Sequence, residues 1–444
     1  AIFINNKPSG ESMAKPKEGD MVRVTTEEET IEGMLLPRPD ILEDDVTVIK
    51  LHHGYNIGID NSRIKKVEVL EERKEKKEKP IKITHNPKLP KVSILSTGGT
   101  IASRIDYTTG GVKSTGFCAE DFLRTYPELA NVANIEARSI MNIMSEDMYW
   151  EHWTTMAKEI KKEVDKGADG IVITQGTDTL HFTSAALSFM LKDLSVPVII
   201  TAAQRSIDRG SSDAFMNLVC AVKAAGSFEG AEVFTCLHGT SSDNYCILIR
   251  GPKARKMHTS RRDAFRPINE LPIAKVHKDG NIEITNNKFK KRSKTKTQAD
   301  IKHEEKTALI QIYPGMNPEI IDFYLDKGYK GLVLAATALG HVPTDNPNHS
   351  LLPYLEKAMK NNIPVIIATQ TLYGRVNPYV YTNLRKLSIQ SKCIFAEDMT
   401  PETAYVKLGW ILGHTTKVDE VKKMMQTNVA GEINPIIDEK SYLV

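Results

Sequence analysis

The chain has 444 residues, of which 59 are Lys or Arg and 56 are Asp or Glu, with 41% hydrophobic and 26% charged residues. Such proportions belong to soluble globular proteins and exclude both wholesale disorder and residence in a bilayer, while at roughly 150 residues per domain the length calls for about three domains. A net charge of +3 is too small for the field of the whole molecule to attract nucleic acid, so any RNA contact must be local.

Residues 1–18 read as a flexible polar arm without the apolar stretch of a signal peptide. From Gly19 to Leu70 apolar residues alternate in short runs: Val22 and Val24, Ile31 with Leu35, Val46 and Val48, Ile57 and Ile59, Val67 and Val69. Period two predicts strands, and about fifty residues of short strands bury a common face only by curling into a small barrel. Nine consecutive charged residues of mixed sign, Glu71 to Lys79, open a solvated linker spanning 71–90.

Beyond the linker, residues 91–289 alternate buried-strand runs (92–95, 171–174, 196–200 and 233–237) with helical spacing over 180–191 and 215–225, the pattern of βαβ units on a largely parallel sheet. The Lys-rich run 290–306 lacks hydrophobic rhythm and reads as an exposed connector. Residues 307–444 resume the alternation as a smaller α/β domain, in which Thr400 caps a helix over 401–412 with Pro401 at its first position. Five cysteines (Cys118, Cys220, Cys236, Cys246 and Cys393) form an odd set without a C-x-x-C pair. They predict neither a disulfide framework nor a zinc ribbon, but a reducing cytoplasm. No apolar run approaches the ~18 residues of a membrane span.

Three polar segments carry the candidate chemistry. Ser96-Thr97-Gly98-Gly99-Thr100-Ile101-Ala102 follows a buried strand, where α/β sheets bind ligands, and its glycines let backbone N–H groups approach a substrate carbonyl as it becomes anionic. A tight turn with incidental hydroxyls fits the same residues equally well. Thr174-Gln175-Gly176-Thr177-Asp178-Thr179 repeats the arrangement after another strand. Taken alone, Asp178 reads first as the N-cap of the following helix and second as a group that orients a hydroxyl, a water or an ammonium. In Arg255-Lys256-Met257-His258-Thr259, a lysine is ordinarily a solvated charge, but enclosed beside a threonine and an acid it becomes the base of a nucleophile, base and acid triad. The histidines show no metal-ligand spacing and read as structural or surface residues.

Together, T-G-G-T-I-A, G-T-D-T and the lysine segment, in this order and spacing, resemble the bacterial-type asparaginase and glutaminase family. Further matches are Asn142 to Met148, Ala203-Gln204-Arg205-Ser206 and Ser212 to Leu218. The resemblance covers residue 91 to the C-terminus. It implies a two-domain asparaginase-like α/β fold, Thr100 as nucleophile assisted by Tyr107 on a closing loop, and Thr177, Asp178 and Lys256 as a second triad. It also implies a substrate pocket at Gly99, Ser145, Glu146 and Gly176, in which Ser145 and Glu146 hold the α-carboxylate and α-amino groups. Two departures stand out: Gln175 where the family usually carries His, and Ala202-Ala203-Gln204-Arg205 where Gly-Ala-Met-Arg is common.

Free asparaginases have no N-terminal barrel. The segments Gly19-Asp20-Met21-Val22, Ile31-Glu32-Gly33 and Gly54 to Ile59 resemble instead the amino-terminal domain of the D subunits of archaeal glutamyl-tRNA(Gln) amidotransferases, an SH3-like or Sm-like β-barrel. This second resemblance implies a glutaminase without metal or cofactor of its own. It would be a homodimer flanked by two E subunits (α2β2), which use ATP and Mg, bind most of the Glu-tRNA(Gln) and consume the ammonia released from glutamine. A stand-alone asparaginase with an accessory barrel is the main alternative, and an RNA-binding scaffold using Arg261-Arg262 and residues 290–296 is a third.

Overall fold

The computed structural model describes residues 16–36, 45–52, 55–72, 85–99, 103–105, 112–114, 123, 127–205 and 211–443. The chain divides into two compact units, Ala1–Pro80 with Ser103–Thr115 and Ile81–Ala102 with Gly116–Val444.

In the first unit the alternating runs form five antiparallel strands, β1 (Met21–Thr25), β2 (Thr30–Leu36), β3 (Val46–Lys50), β4 (Asn56–Asp60) and β5 (Lys66–Glu71), in the order β4-β3-β2-β1-β5. Val22 and Val24 of β1 share one small core with Ile49 of β3 and Ile59 of β4. Strands two and three places apart meet there because the sheet curls, as its alternation predicts. Basic side chains on and beside these strands are matched by acids: Arg23 pairs with Glu32, Lys65 with Glu27 and Lys66 with Glu68.

The second unit begins with β6 (Lys91–Ser96). A short ribbon, β7 (Ser103–Ile105) with β8 (Val112–Ser114), falls in the first unit, and β9 (Asn134–Ser139) returns to the second. There follow α1 (Trp150–Asp165), β10 (Gly170–Thr174), α2 (Leu180–Met190), β11 (Leu191–Lys192), β12 (Val198–Thr201), α3 (Ala214–Ser227), β13 (Val233–His238) and β14 (Tyr245–Arg250). After these come β15 (Ala254–Lys256), β16 (Phe265–Pro267), β17 (Ala274–His277) and β18 (Ile282–Ile284). Eight strands form one sheet, β18-β17-β14-β13-β12-β10-β6-β9. It is parallel from β13 to β9 and antiparallel from β13 to β18. The sheet is therefore mixed, where the sequence reading expects a largely parallel one. Successive residues of the central strands feed opposite faces: Ile171 and Ile173 enter the core with α1 and α2, whereas Val172 joins Ile94, Ile199 and Leu218 beneath α3.

The connector is anchored as well as exposed. Arg292 donates to the carbonyls of Phe228 (2.6 Å) and Ala225 (2.8 Å), Thr297 is buried, and β19 (Gln298–Ala299) pairs with β11. A parallel sheet follows, of β20 (Thr307–Gln311), β21 (Gly331–Ala336), β22 (Val365–Thr369) and β23 (Ile394–Phe395), with α4 (Ile320–Asp326), α5 (Leu352–Lys360), α6 (Thr382–Arg385), α7 (Pro401–Leu412) and α8 (Val418–Met425). Thr400 caps α7 as expected, accepting from Thr403 N at 3.3 Å. Apolar on nearly every side, α7 is buried. Its Ala404, Leu408 and Ile411 share a core with Ile171 and Leu187 of the larger domain and Val333 and Ile366 of the smaller. Among the described residues no helix is long and apolar enough to cross a membrane.

Candidate active site

β6 and β10 run parallel with Ser96 level with Thr174, so their C-terminal ends open side by side. Thr97 ties the two turns together, its N and Oγ1 both donating to Thr174 O at 3.0 Å. At Gly99, φ is +83° and an added Cβ would fall 2.6 Å from Gly176 N; at Gly176 it would fall 2.8 Å from Ser145 Cβ and Oγ. The first and second turns are thus packed backbone to backbone, with the Ser145 side chain pressed against the second, an approach only glycine permits. Gly99→Ala is expected to lower amide hydrolysis about 10²-fold by displacing the turns, with an unchanged far-ultraviolet circular dichroism spectrum; full activity would show that the close approach is dispensable.

Thr177 is buried and Asp178 is largely exposed. Lys256, at the end of β15, reaches both from 78 and 79 residues away: its Nζ lies 2.7 Å from Asp178 Oδ1 and 2.8 Å from Thr177 Oγ1. The lysine is held from behind, since its neighbour Arg255 pairs with Glu402 of α7 at 3.0 Å. The N-cap reading of Asp178 is corrected here. Thr179 occupies the cap of α2 without a side-chain cap bond, and the Asp178 carboxylate faces Nζ of Lys256 instead. Ser145 is buried, with its carbonyl accepting from Thr179 Oγ1 at 2.6 Å, while Glu146 is exposed. Thr100 and Tyr107 lie outside the described residues.

Two groups near the triad escaped the sequence reading. Gln204, which the sequence marks only as a departure from the family pattern, places Oε1 3.5 Å from Thr177 Oγ1. His181, in the first turn of α2, is buried, and its pKa is pushed down to about 3, first by desolvation and then by the Arg255 and Lys256 charges, with Asp178 opposing. Its imidazole is therefore neutral through the physiological range. The unfolded chain protonates this histidine near pH 6.5 and the folded one resists to about 3, so the unfolded state binds more protons between those values. Stability accordingly falls as pH drops through that window, by up to ~1.4 kcal/mol per pH unit, and the term is fully present above it. Urea midpoints of His181→Gln are expected to fall less steeply than wild type between pH 6.5 and 4.5; equal slopes would rule the histidine out as the source. Among the described residues no group of three or more His, Cys, Asp or Glu side chains could hold a metal ion.

Residues 91–290 match the family described as asparaginase, N-terminal, residues 306–425 the glutaminase/asparaginase C-terminal domain, and residues 16–70 the GatD N-terminal domain. The D subunit of the glutamyl-tRNA(Gln) amidotransferase of Pyrococcus abyssi is 49% identical over 431 residues, covering 96% of this chain and 97% of that protein. Its counterpart in Methanothermobacter thermautotrophicus is 48% identical, covering 94% of each. Among solved structures, the thermostable L-asparaginase from Thermococcus kodakarensis superposes with a TM-score of 0.69 at 31% identity, covering 78% of this chain and 100% of its own. L-asparaginase I from Vibrio cholerae gives 0.67 at 30% identity, with 78% and 99% covered.

Proposed function

The chain belongs to the family of glutamyl-tRNA(Gln) amidotransferase D subunits, and from that premise we propose that it hydrolyses the side-chain amide of glutamine and delivers the ammonia to a partner chain. The observation that carries this reading is the contact of Lys256 Nζ with both Thr177 Oγ1 and Asp178 Oδ1, at the mouth of two glycine turns able to aim backbone N–H groups at one carbonyl oxygen.

In this reading the Thr100 hydroxyl attacks the amide carbon, and Thr177 and Lys256, the latter in its amine form, take up the hydroxyl proton. Asp178 stabilises the ammonium that results. Collapse of the tetrahedral adduct breaks the C–N bond as the same proton returns to nitrogen, releasing ammonia and leaving an ester on threonine. Water then attacks the ester, its proton following the reverse route, and glutamate leaves. Tyr107 assists as its loop closes, which is consistent with a glutaminase that waits for charged tRNA. Ser145 and Glu146 hold the α-carboxylate and α-amino groups, and Gly99 and Gly176 line the pocket.

The chain itself uses no cofactor. It works in the cytoplasm as a homodimer flanked by two E subunits, which use ATP and Mg to activate Glu-tRNA(Gln) and contribute most of the tRNA contact. A scaffold that binds RNA through Arg261 and Arg262 is disfavoured, because their guanidinium groups are engaged by Asp263 and Asp243.

The test is ammonia release from glutamine and from asparagine by the isolated chain and by the complex, with and without Glu-tRNA(Gln). Glutamine turnover stimulated by partner and charged tRNA is expected. Vigorous asparagine turnover without stimulation would point instead to a stand-alone asparaginase carrying a barrel.

A further inference from the structure

A third strand end, that of β12, borders the site beside β10. Its turn, Ala202-Ala203-Gln204-Arg205, is fixed from behind by the fully buried Asp213. The Gln204 N–H donates to both carboxylate oxygens of Asp213 (3.1 and 3.0 Å), and the Arg205 N–H donates to Oδ1 at 3.0 Å. Asn217 braces the same carboxylate at 3.1 Å and the Ala202 carbonyl at 2.9 Å. With its backbone held, Gln204 has only its side chain free to answer a ligand. That carboxamide lies with Oε1 3.5 Å from Thr177 Oγ1, while Nε2 is buried and, among the described residues, has no hydrogen-bond partner. On the neighbouring strand end Gln175, 1% exposed, likewise buries an Oε1 that has no partner among the described residues. Buried amide groups are nearly always satisfied, so an unpaired donor on a carboxamide whose oxygen lies beside the Thr177 hydroxyl calls for an acceptor that arrives with the substrate.

We propose that Gln204 is a specificity-determining residue that reads the scissile amide, its Nε2 donating to the substrate's carbonyl oxygen and its Oε1 accepting from the substrate's NH2. A carboxamide matches another carboxamide edge to edge through two such bonds. A carboxylate does not: it offers no proton to Oε1 and sets a negative oxygen against it. Selection for glutamine over glutamate, and release of the acid product, then follow from one side chain. Methionine at this position would fill the space and supply neither bond. The inference rests on the glutamine-hydrolysing reading above.

The experiment uses the complete complex with Glu-tRNA(Gln) and compares wild type with Gln204→Met and Gln204→Glu on L-glutamine and on L-glutamate γ-methyl ester, which keeps the carbonyl and lacks the N–H. Inhibition by L-glutamate is measured alongside. Gln204→Met is expected to raise KM for glutamine roughly 10- to 100-fold, with kcat within about 3-fold and a much smaller effect on the ester. The preference for glutamine over glutamate, taken as KM against the inhibition constant, should shrink in Gln204→Met, whereas Gln204→Glu, which sets a second negative oxygen against the acid, should weaken inhibition by glutamate further. An unchanged KM, or equal losses on amide and ester with an unaltered melting temperature, overturns the proposal. A wild-type complex that releases no ammonia from glutamine overturns the parent reading as well, and so is told apart from a failure confined to Gln204.

Discussion

Lys256→Met is expected to lower kcat for glutamine hydrolysis on the order of 10³-fold, the usual loss when a positioned proton acceptor is removed, while the melting temperature stays close to wild type. The side chain of Lys256 bonds to Thr177 and Asp178, and both are polar groups at a site mouth rather than parts of a hydrophobic core. The decisive companion is Lys256→Arg. A guanidinium would keep the positive charge beside Asp178, but it is not deprotonated in proteins and so cannot accept a proton from Thr177. If the lysine serves as a base, the arginine variant is as inactive as the methionine variant; if it serves only as a fixed charge, arginine restores a large part of the rate. Steady-state ammonia release by the complex reads the difference, and activity of Lys256→Arg above about a tenth of wild type would defeat the proton-transfer role.

The second large effect concerns stability. Lys253 stands three residues before Lys256 and is fully buried, its Nζ 2.7 Å from the equally buried Asp398 Oδ2. Desolvation pushes the pKa of this lysine down and Asp398 pulls it back up. The carboxylate is further satisfied by Asn434, whose N and Nδ2 each donate at 2.9 Å. Asn269 donates at 3.0 Å to both the Asp398 and the Gly374 carbonyls. One buried ionic knot thus joins the strand bearing Lys256, the turn before α7 and the C-terminal segment. Lys253→Met should destabilise the second unit by ~3–5 kcal/mol, because it strands a buried carboxylate. The double variant Lys253→Met/Asp398→Asn should recover more than half of that loss, since the charge left behind is gone. Urea midpoints with unchanged slopes provide the measurement. A single variant within 1 kcal/mol of wild type, on the order of a surface pair, would mean that the knot contributes little. Because Lys253 pins the segment that ends in Lys256, the destabilised variant should also lose activity below its unfolding transition.

How much of this could be read in advance depended on the range over which each signal acts. The strands β6, β10, β12 and β13 were legible because a strand buried on both faces is a continuous apolar run. The α7 helix was legible because its cap and first-position proline are adjacent in sequence. The antiparallel half of the large sheet was not. β14 (Y-C-I-L-I-R) reads as a buried strand in any sheet, and nothing local reveals that it reverses direction against β13. Helix α1 was not legible either, although Trp150, Trp153, Met156, Ala157 and Ile160 form an apolar stripe, because its intervening Lys and Glu residues resemble a solvated run.

Asp178 shows the same limit at the site. Next to a helix start its local preference is to cap, and that preference was overridden by a lysine 78 residues away. Motif order alone determined the reaction class, the two glycine turns and the identity of the lysine, since these depend on residue type and spacing. Only the tertiary structure decided that Gln204 lies against the Thr177 hydroxyl, that His181 is buried beside the triad, and that a buried ion pair holds the segment leading to Lys256 in place. Each of these depends on which distant side chains share one desolvated space, and hydrogen bonds and Coulomb forces act over a few ångströms of that space, whatever the separation along the chain.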